Sequence, residues 1–379
     1  MILPLASPTA TPKREDGPES DGPELVDLHP AVADMERLVI EGLSRHPRQL
    51  PAWFLYDAEG SRLFERICEQ PEYSLTRSET KLLQERAGEM AQALGQGINK
   101  QPVLVEFGAG NLRKVGPLLE TLQPAAYVAL DISADHLAPA CRALQSRHPD
   151  VPVLGICCDY AAIEHLPPHP LLEDRPRIGF YPGSSLGNFD PAQARLLLAH
   201  FAELLGPGSR LLIGIDQPRE AARLEAAYDD AAGVSAAFAF NLLHRLNREL
   251  AGNFDPAAFR YEARWQPAAS RIAMALVSLR NQKVDLAGRR WSFAAGEPLI
   301  SEYSVKYTPE AFLALAAEAG WRPLGRWSDG GEELSLHLLV HTKLHELTQQ
   351  CNHDHPTPQR SQPGAVRTSV RRCARCGKG

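Results

Sequence analysis

Short apolar segments alternate with amphipathic segments through the middle of the chain. The apolar segments predict strands at residues 103–107, 126–131, 151–156, 178–181 and 210–215. The segments between them have the apolar spacing of helices, at 112–122, 134–146 and 191–205. Strands that alternate with helices of this length predict an α/β fold, in which a mostly parallel sheet is doubly wound by helices on both faces.

The alternation stops after residue 217. A long helical stretch at 219–250, which we expect to divide near Gly233, leads into β-like segments at 259–265, 271–279, 290–293 and 299–305. Alternating apolar and polar positions in the last of them favour an antiparallel sheet with one solvated face. A helix at 309–319 and two strands at 321–327 and 334–341 then return to the parallel sheet.

Residues 218–306 are therefore interpreted as an insertion. Together with the helical region 29–77, they are predicted to form a second, α+β lobe over the carboxyl ends of the parallel strands. Ligands of open α/β sheets bind at that edge. The first domain is predicted to consist of residues 78–217 and 307–345.

The two ends of the chain lack any periodic apolar pattern. Residues 1–28, rich in Pro, Asp, Glu and Ser, predict a disordered leader, and residues 346–379 a disordered basic tail. Within the tail, Cys373 and Cys376 have the spacing of half a zinc site. An alternative interpretation is that Cys351, His353 and His355 complete that site.

The composition of the 379 residues narrows the class of protein. A net charge of −6 argues against a nucleic-acid binder, which normally presents a basic face. No apolar run is long enough to cross a bilayer, and the amino terminus does not resemble a secretory signal. Seven cysteines without framework spacing favour reduced thiols. We therefore expect a cytoplasmic protein without a nucleic-acid or membrane partner, and we expect it to be a monomer.

A glycine-containing loop follows the first predicted strand. Gly108 and Gly110 allow a tight turn and a close approach of a ligand to the backbone. The dinucleotide fingerprint needs a third glycine where this chain has Arg113, so a cofactor without phosphates fits better. This difference disfavours a nicotinamide-dependent oxidoreductase, which remains one alternative.

Acidic residues end the next two strands. Asp131 is placed to accept hydrogen bonds from two ribose hydroxyls, although it is also placed to cap the following helix. Asp159 and Tyr160 follow the third strand, where a polar group and an aromatic ring can contact an adenine. With the E-x-G-x-G loop that begins at Glu106, this set resembles class I methyltransferases, which implies S-adenosyl-L-methionine (SAM) as the methyl donor.

Longer strings resemble one family within that class, the histidine-specific Nα-methyltransferases. That family makes hercynine, the trimethyl betaine of histidine, as the first step toward ergothioneine. The resemblance extends roughly over residues 30–345. The strings are WFLYDAEGSRLF at 53–64, PEYSLTRSE at 71–79, PGSSLGNF at 182–189, AYDDAAGV at 227–234 and SEYS at 301–304.

The resemblance implies a role for each matched residue. The cofactor site would be lined by Gly108, Lys114, Asp131, Asp159 and Tyr160. Asn188 and Tyr228 would hold the α-carboxylate of L-histidine, and Tyr56 would be the catalytic residue beside the α-amine. The imidazole ring would meet Tyr73, Glu302 and Ser304, with Met274 packed nearby.

These residue types suit the chemistry. The attacking amine must be neutral, and a tyrosine hydroxyl, unlike a carboxylate, does not favour the ammonium form. Glu302 and Ser304 are two positions apart, which places both side chains on one face of a strand. A displacement at a sulfonium needs no Lewis acid, so we expect no metal.

Alternatives remain for single residues and for the function. The aromatic residues and Met274 would also suit a core, Asn188 a turn, and Glu302 a solvent-facing strand position. An Nα-methyltransferase for another amino acid, such as a tryptophan derivative, is the second functional interpretation. Glu302 argues against it, because an indole has one donor and no acceptor. A non-catalytic cofactor-binding protein is the third.

Overall fold

The structure is a computed structural model that describes residues 22–28 and 32–341. In chain order its helices are α1 Val32–Leu43, α2 Ala58–Glu69, α3 Leu75–Gly95, α4 Gly116–Leu122, α5 Ala134–Arg147, α6 Pro191–Leu205, α7 Ala221–Tyr228, α8 Val234–Glu249 and α9 Pro309–Glu318. Its strands are β1 Glu24–Asp27, β2 Arg48–Gln49, β3 Val103–Phe107, β4 Ala126–Asp131, β5 Val153–Cys157, β6 Arg177–Tyr181, β7 Arg210–Asp216, β8 Phe259–Gln266, β9 Arg271–Ser278, β10 Gln282–Leu286, β11 Arg289–Phe293, β12 Pro298–Val305, β13 Trp321–Ser328 and β14 Leu334–His341.

The large sheet has the strand order β1-β5-β4-β3-β6-β7-β14-β13. Its strands are parallel except for β14 and β13, which return antiparallel at one edge. Alternate side chains of β3 enter different cores: Val105 and Phe107 belong to one apolar cluster and Leu104 to another. Both faces of the sheet are therefore covered, and the predicted α/β fold with a doubly wound, mostly parallel sheet is confirmed.

One part of the predicted leader is wrong. Glu24–Asp27 is an edge strand that pairs in parallel with β5, and the Leu28 amide continues this pairing by donating to the Cys157 carbonyl at 2.7 Å. Three of the four side chains of β1 are exposed, so the strand is held by backbone hydrogen bonds rather than by an apolar face. Composition carries no signal for such a strand. Residues 1–21, and the tail with its alternative zinc site, lie outside the described residues.

The second sheet has the order β2-β12-β9-β8, and β10 and β11 form a separate hairpin. The short strand β2 comes from the amino-terminal region and pairs in parallel with β12. One apolar cluster contains residues of both chain segments, including Phe54 and Leu63 from the first and Phe238 and Leu276 from the second. The regions 29–77 and 218–306 therefore share a core, although the predicted lobe boundaries remain a prediction.

The second sheet approaches the large one at the end of β6. There a short 3₁₀ turn, Ser185–Asn188, packs against β12. A Cβ atom on Gly187 would lie 2.6 Å from the Val305 carbonyl oxygen, so only glycine permits this approach. The turn brings the segment after β6 beside the face of β12 that carries Glu302 and Ser304.

Candidate active site

A cavity of about 630 Å³ lies at the carboxyl ends of β3, β4 and β5. Its volume falls in the range of roughly 300–1,000 Å³ that is typical of small-molecule sites. A smaller cavity of about 60 Å³ shares part of its lining. The larger cavity is lined by all five residues predicted to bind the cofactor: Gly108, Lys114, Asp131, Asp159 and Tyr160. The smaller is lined by Tyr228, Met274, Glu302 and Ser304, and both are lined by Tyr56, Tyr73 and Asn188.

Asp131 organises the loop after β3. One of its carboxylate oxygens accepts the Gly110 amide at 2.8 Å, and the other accepts the Ser133 amide at 3.0 Å. Gly108 and Gly110 both have positive φ, as this loop path requires. Burial raises the pKa of the Asp131 carboxyl, and the two amide hydrogen bonds oppose that shift. The N-cap of α5 is Ser133, and Asp131 accepts only the amide of that residue, so Asp131 does not cap the helix. Each of its oxygens retains lone pairs for further donors.

Tyr160 and Asp159 form the wall that follows β5. The Tyr160 hydroxyl lies 3.1 Å from the Tyr181 hydroxyl, and its ring packs edge-on against Phe107. Asp159 accepts the Ala161 amide at 3.0 Å, and burial raises the pKa of its carboxyl. This wall presents an aromatic ring and a polar group to the larger cavity, at the position predicted to contact an adenine.

Lys114 pairs with Glu79, a residue for which the sequence analysis predicted no role. Its ammonium lies 2.7 Å from the fully buried Glu79 carboxylate, which also accepts the Gly183 amide. Burial opposes the charge on Lys114, but Glu79 outweighs it and raises the pKa of Lys114. Through Glu79, α3 is therefore bonded to the loop after β3, which carries Lys114, and to the loop after β6, which carries Gly183. Glu79 does stand in the matched string 71–79, which was the available signal.

Tyr56 lies where the two cavities meet. Its ring packs edge-on against Phe64 and Phe238, at centroid distances of 5.6 Å and 5.3 Å. The next residue, Asp57, caps α2 by accepting the Gly60 amide at 2.8 Å, which fixes the turn that carries Tyr56. Burial, and then the nearby Glu302, raise the pKa of Tyr56 well above its ordinary value, so the phenol stays neutral.

Glu302 is buried, with 8% of its surface exposed, so the alternative of a solvent-facing strand residue is wrong. Its Oε1 has no hydrogen-bond partner among the described residues. Burial raises the pKa of its carboxyl to about 8, and Lys306 only partly opposes that shift. Met274 stands directly opposite on β9 and also lines the smaller cavity. A buried carboxyl oxygen without a hydrogen bond is destabilising, and a ligand that donates a hydrogen bond to it would remove that cost.

Tyr228 and Ser304 belong to a polar cluster that was only partly predicted from sequence. Their hydroxyl oxygens are 3.0 Å apart, and the Lys306 ammonium donates to them at 2.6 Å and 2.8 Å. Lys306 also pairs with Asp216 at 2.5 Å. A signal was present, since Glu302, Ser304 and Lys306 are alternate residues along one extended segment.

The described part of the chain holds neither a metal cluster nor a membrane helix. No group of three or more His, Cys, Asp or Glu side chains there is arranged to hold a metal ion. None of the helices between residues 32 and 341 is both long and apolar enough to span a membrane. The prediction that the reaction needs no metal stays a prediction.

Comparison with known proteins identifies the family. A family model described as histidine-specific, SAM-dependent methyltransferase matches residues 35–341. The chain belongs to this family. Histidine N-alpha-methyltransferase of Mycolicibacterium smegmatis is 37% identical over 316 residues, which cover 82% of this chain and 96% of that protein. The protein of the same name from Mycobacterium tuberculosis is 36% identical over 312 residues, with coverages of 81% and 94%.

A further relative, Ergothioneine biosynthesis protein 1 of Neurospora crassa, is 31% identical over 317 residues. The match covers 79% of this chain and 34% of that longer protein. The predicted enzyme class is confirmed: this member of the histidine-specific methyltransferase family uses SAM as its methyl donor. The Asp131 carboxylate, with lone pairs left beside the larger cavity, fits the hydroxyl donors of that molecule. The oxidoreductase and non-catalytic alternatives are set aside.

Proposed function

We propose that the enzyme transfers methyl groups from SAM to the α-amino group of L-histidine. Three successive transfers give Nα,Nα,Nα-trimethyl-L-histidine (hercynine). The observation that carries the choice of substrate is the buried Glu302 carboxyl, whose Oε1 lacks a partner among the described residues. We further propose that this product enters ergothioneine biosynthesis, and that the enzyme works as a cytoplasmic monomer without nucleic-acid or membrane partners. The net charge of −6 supports the absence of a nucleic-acid partner.

Histidine suits the smaller cavity because imidazole has both a donor and an acceptor nitrogen. In this proposal Glu302 binds one imidazole nitrogen. The Ser304 hydroxyl, which lines the same cavity, binds the other. An apolar ring would leave the buried carboxyl unpaired, at a cost of about 1–3 kcal/mol. An indole supplies only its N–H and is larger, and Met274 limits the space opposite Glu302.

The amino-acid backbone would lie where the two cavities meet. We assign the α-carboxylate to the Asn188 amide and the Tyr228 hydroxyl, which face the smaller cavity. The α-amine is assigned to Tyr56, which lines both cavities. A neutral phenol leaves the amine lone pair available, whereas a carboxylate in its place would stabilise the ammonium form.

The larger cavity is assigned to SAM, which supplies an electrophilic methyl group on a sulfonium. Asp131 would accept the ribose hydroxyls, and Tyr160 and Asp159 would contact the adenine. Gly108 and Lys114 would line the remainder. Because such a transfer is an in-line displacement, the chain accelerates it mainly by holding the amine and the methyl group in line.

The proposal is tested with purified enzyme, SAM carrying an isotopically labelled methyl group, and each amino acid in turn. Mass spectrometry should detect mono-, di- and trimethyl products from histidine, with all label on the α-nitrogen. Fragment ions that place methyl groups on the imidazole ring would refute the assignment of Tyr56 to the amine. A different amino acid as the preferred substrate would refute the role of Glu302.

A further inference from the structure

Lys306 is a fully buried lysine behind the smaller cavity, and it has no role in the function described so far. It follows β12 and lies next to the end of β7, where the two sheets meet. Its ammonium has three N–H donors and three acceptors within hydrogen-bond distance. They are the Asp216 carboxylate at 2.5 Å, the Tyr228 hydroxyl at 2.6 Å and the Ser304 hydroxyl at 2.8 Å.

This arrangement determines where the Tyr228 and Ser304 hydroxyls can donate their hydrogens. Both oxygens accept from Lys306, so each must direct its own hydrogen elsewhere. Only one of those hydrogens can serve the 3.0 Å contact between Tyr228 and Ser304. No other acceptor for them is present among the described residues, so at least one hydrogen remains for an acceptor in the smaller cavity.

The Lys306 ammonium keeps its charge beside these hydroxyls. Asp216 is shared between Lys306 and Arg219, which pairs with its other oxygen at 2.6 Å. Arg219 has a second acidic partner, Glu333, at 3.7 Å, whereas Asp216 is the one acidic partner of Lys306 among the described ion pairs. Burial opposes the ammonium form of Lys306, but the neighbouring Asp216 outweighs it and raises the pKa of Lys306. The lysine thus remains charged directly behind the Tyr228 hydroxyl.

We infer that Lys306 is a positioning residue that holds the Tyr228 and Ser304 hydroxyls as hydrogen-bond donors and supplies, through Tyr228, the positive charge that the substrate α-carboxylate requires. This inference rests on the proposed placement of that carboxylate at Tyr228. It explains how the site binds an anionic group although Asn188 and Tyr228 are both neutral. Because the positive charge lies on Lys306, behind Tyr228, the group beside the substrate amine is still the neutral Tyr56 phenol.

The test compares ligands that differ only in the carboxylate or the amine. Dissociation constants are measured by calorimetry for histidine, histamine, which lacks the carboxylate, and imidazolepropionate, which lacks the amine, in the presence of S-adenosylhomocysteine. Lys306→Met keeps the length of the side chain and removes the charge. We expect binding of histidine and imidazolepropionate to weaken roughly 10- to 100-fold, as for a lost hydrogen bond to a charged group. Histamine should weaken clearly less than histidine, because it keeps the imidazole that Ser304 contacts but lacks the carboxylate that Tyr228 binds.

A second variant and a control make the result decisive. Lys306→Gln keeps hydrogen-bond donors without the charge and should show a smaller loss with the same selectivity, which preserves the test if Lys306→Met does not fold. Lys283→Met removes an exposed lysine on β10 and should match wild type with every ligand. In Tyr228→Phe the further change Lys306→Met should cost histidine binding much less, because the relay is already broken.

Two outcomes would overturn the inference. One is equal weakening of histidine and histamine together with weaker S-adenosylhomocysteine binding, which would mean that Lys306 only joins the two sheets. The other is unchanged histidine binding in a folded variant. Failure of the proposed function looks different, because wild-type enzyme would then bind or methylate no histidine at all.

Discussion

Glu302 is the residue on which substrate choice depends in the proposed function. Glu302→Ala removes the acceptor for the imidazole and also removes a carboxyl that resists apolar rings. We expect the KM for histidine to rise roughly 10- to 100-fold, corresponding to about 1.5–3 kcal/mol. Activity on tryptophan or phenylalanine should rise relative to wild type. Steady-state kinetics with each amino acid measure both effects.

Met274 gives that prediction a second step. It faces Glu302 across the β9–β12 pair, so Glu302→Ala combined with Met274→Val should favour tryptophan further by adding space for an indole. Glu120→Ala, which removes an exposed glutamate on α4, is the control and should leave kinetics unchanged. Wild-type histidine kinetics in Glu302→Ala, without any new substrate, would remove Glu302 from the ring site.

Asp131 allows the two cavities to be separated by a single change. Asp131→Ala should weaken binding of S-adenosylhomocysteine by roughly 10- to 100-fold, because the lost acceptor is charged. Histidine binding should weaken much less, since Asp131 lines only the larger cavity. Calorimetry with each ligand provides the comparison. Because Asp131 also accepts the Gly110 amide, Asp131→Asn is the milder variant, and unchanged cofactor affinity in both would contradict the assignment.

Among the elements, the contact between β12 and the 3₁₀ turn at Gly187 sets the distance between the two sheets. In Gly187→Ala the new Cβ would lie 2.6 Å from the Val305 carbonyl oxygen, and backbone must move to admit it. We expect a loss of roughly 1–3 kcal/mol of folding free energy, as for other overpacked sites. The KM for histidine should rise more than the dissociation constant of S-adenosylhomocysteine, because Asn188 and β12 move relative to each other.

Gly88→Ala is the matched control for that prediction. Gly88 lies exposed in α3, and the position that a methyl group would take there is open space, so alanine should be neutral or stabilise by roughly 0.5–1 kcal/mol. Denaturant unfolding measures both variants. A Gly187→Ala enzyme with wild-type stability and kinetics would show that the two sheets can separate there without consequence.

Elements with an apolar face were predictable from sequence, and elements held by backbone bonds were not. The strands β3, β4, β6 and β7 lie within two residues of their predicted positions, because each is buried on both faces. The edge strand β1 was missed because its side chains are mostly exposed. The strand β10 was missed because Gln282 and Lys283 interrupt its apolar pattern. The helix predicted from residue 112 begins at Gly116, since Leu112 adopts positive φ within the loop.

Among the site residues, those that line the cavities were predictable from sequence, and the distant residues that bond to them were not. Every residue assigned through the matched strings lines one of the two cavities. Their partners were not identified, because Glu79 and Asp216 act on residues far away in sequence. Glu79 meets Gly183 from a distant helix, and Asp216 meets Lys306 from a different sheet. Such pairings depend on how the elements pack, which local patterns do not record.

For the whole molecule, burial of carboxyl groups beside the cavities links stability to pH. Burial raises the pKa of Glu302 to about 8, against an ordinary value near 4.5. Between those two values the folded state retains a proton that the unfolded state has released, so stability falls as pH rises. His337 acts in the opposite direction, because burial lowers its pKa to about 4 and stability then falls as pH drops below 6.5.

Because these contributions to the pH dependence of stability oppose each other, we compare the stability of wild type with that of a Glu302 variant. Glu302→Gln mimics the protonated carboxyl, so it should match wild type near pH 4.5 and become progressively more stable than wild type toward pH 8 and above. The full difference should be on the order of 5 kcal/mol. Glu106, whose pKa burial also raises to about 8, is present in both proteins and cancels.

Denaturant unfolding without ligands, at several pH values from about 5 to about 9, measures this difference. Wild type and Glu302→Gln share every other titrating group, so the gap between their curves reports Glu302 alone. A gap that widens with pH supports a buried carboxyl that awaits a donor from the ligand. A constant gap would mean that the Glu302 carboxyl is solvated in the folded enzyme. It would then offer imidazole no more than water does, and its proposed role in selecting histidine would fail with it.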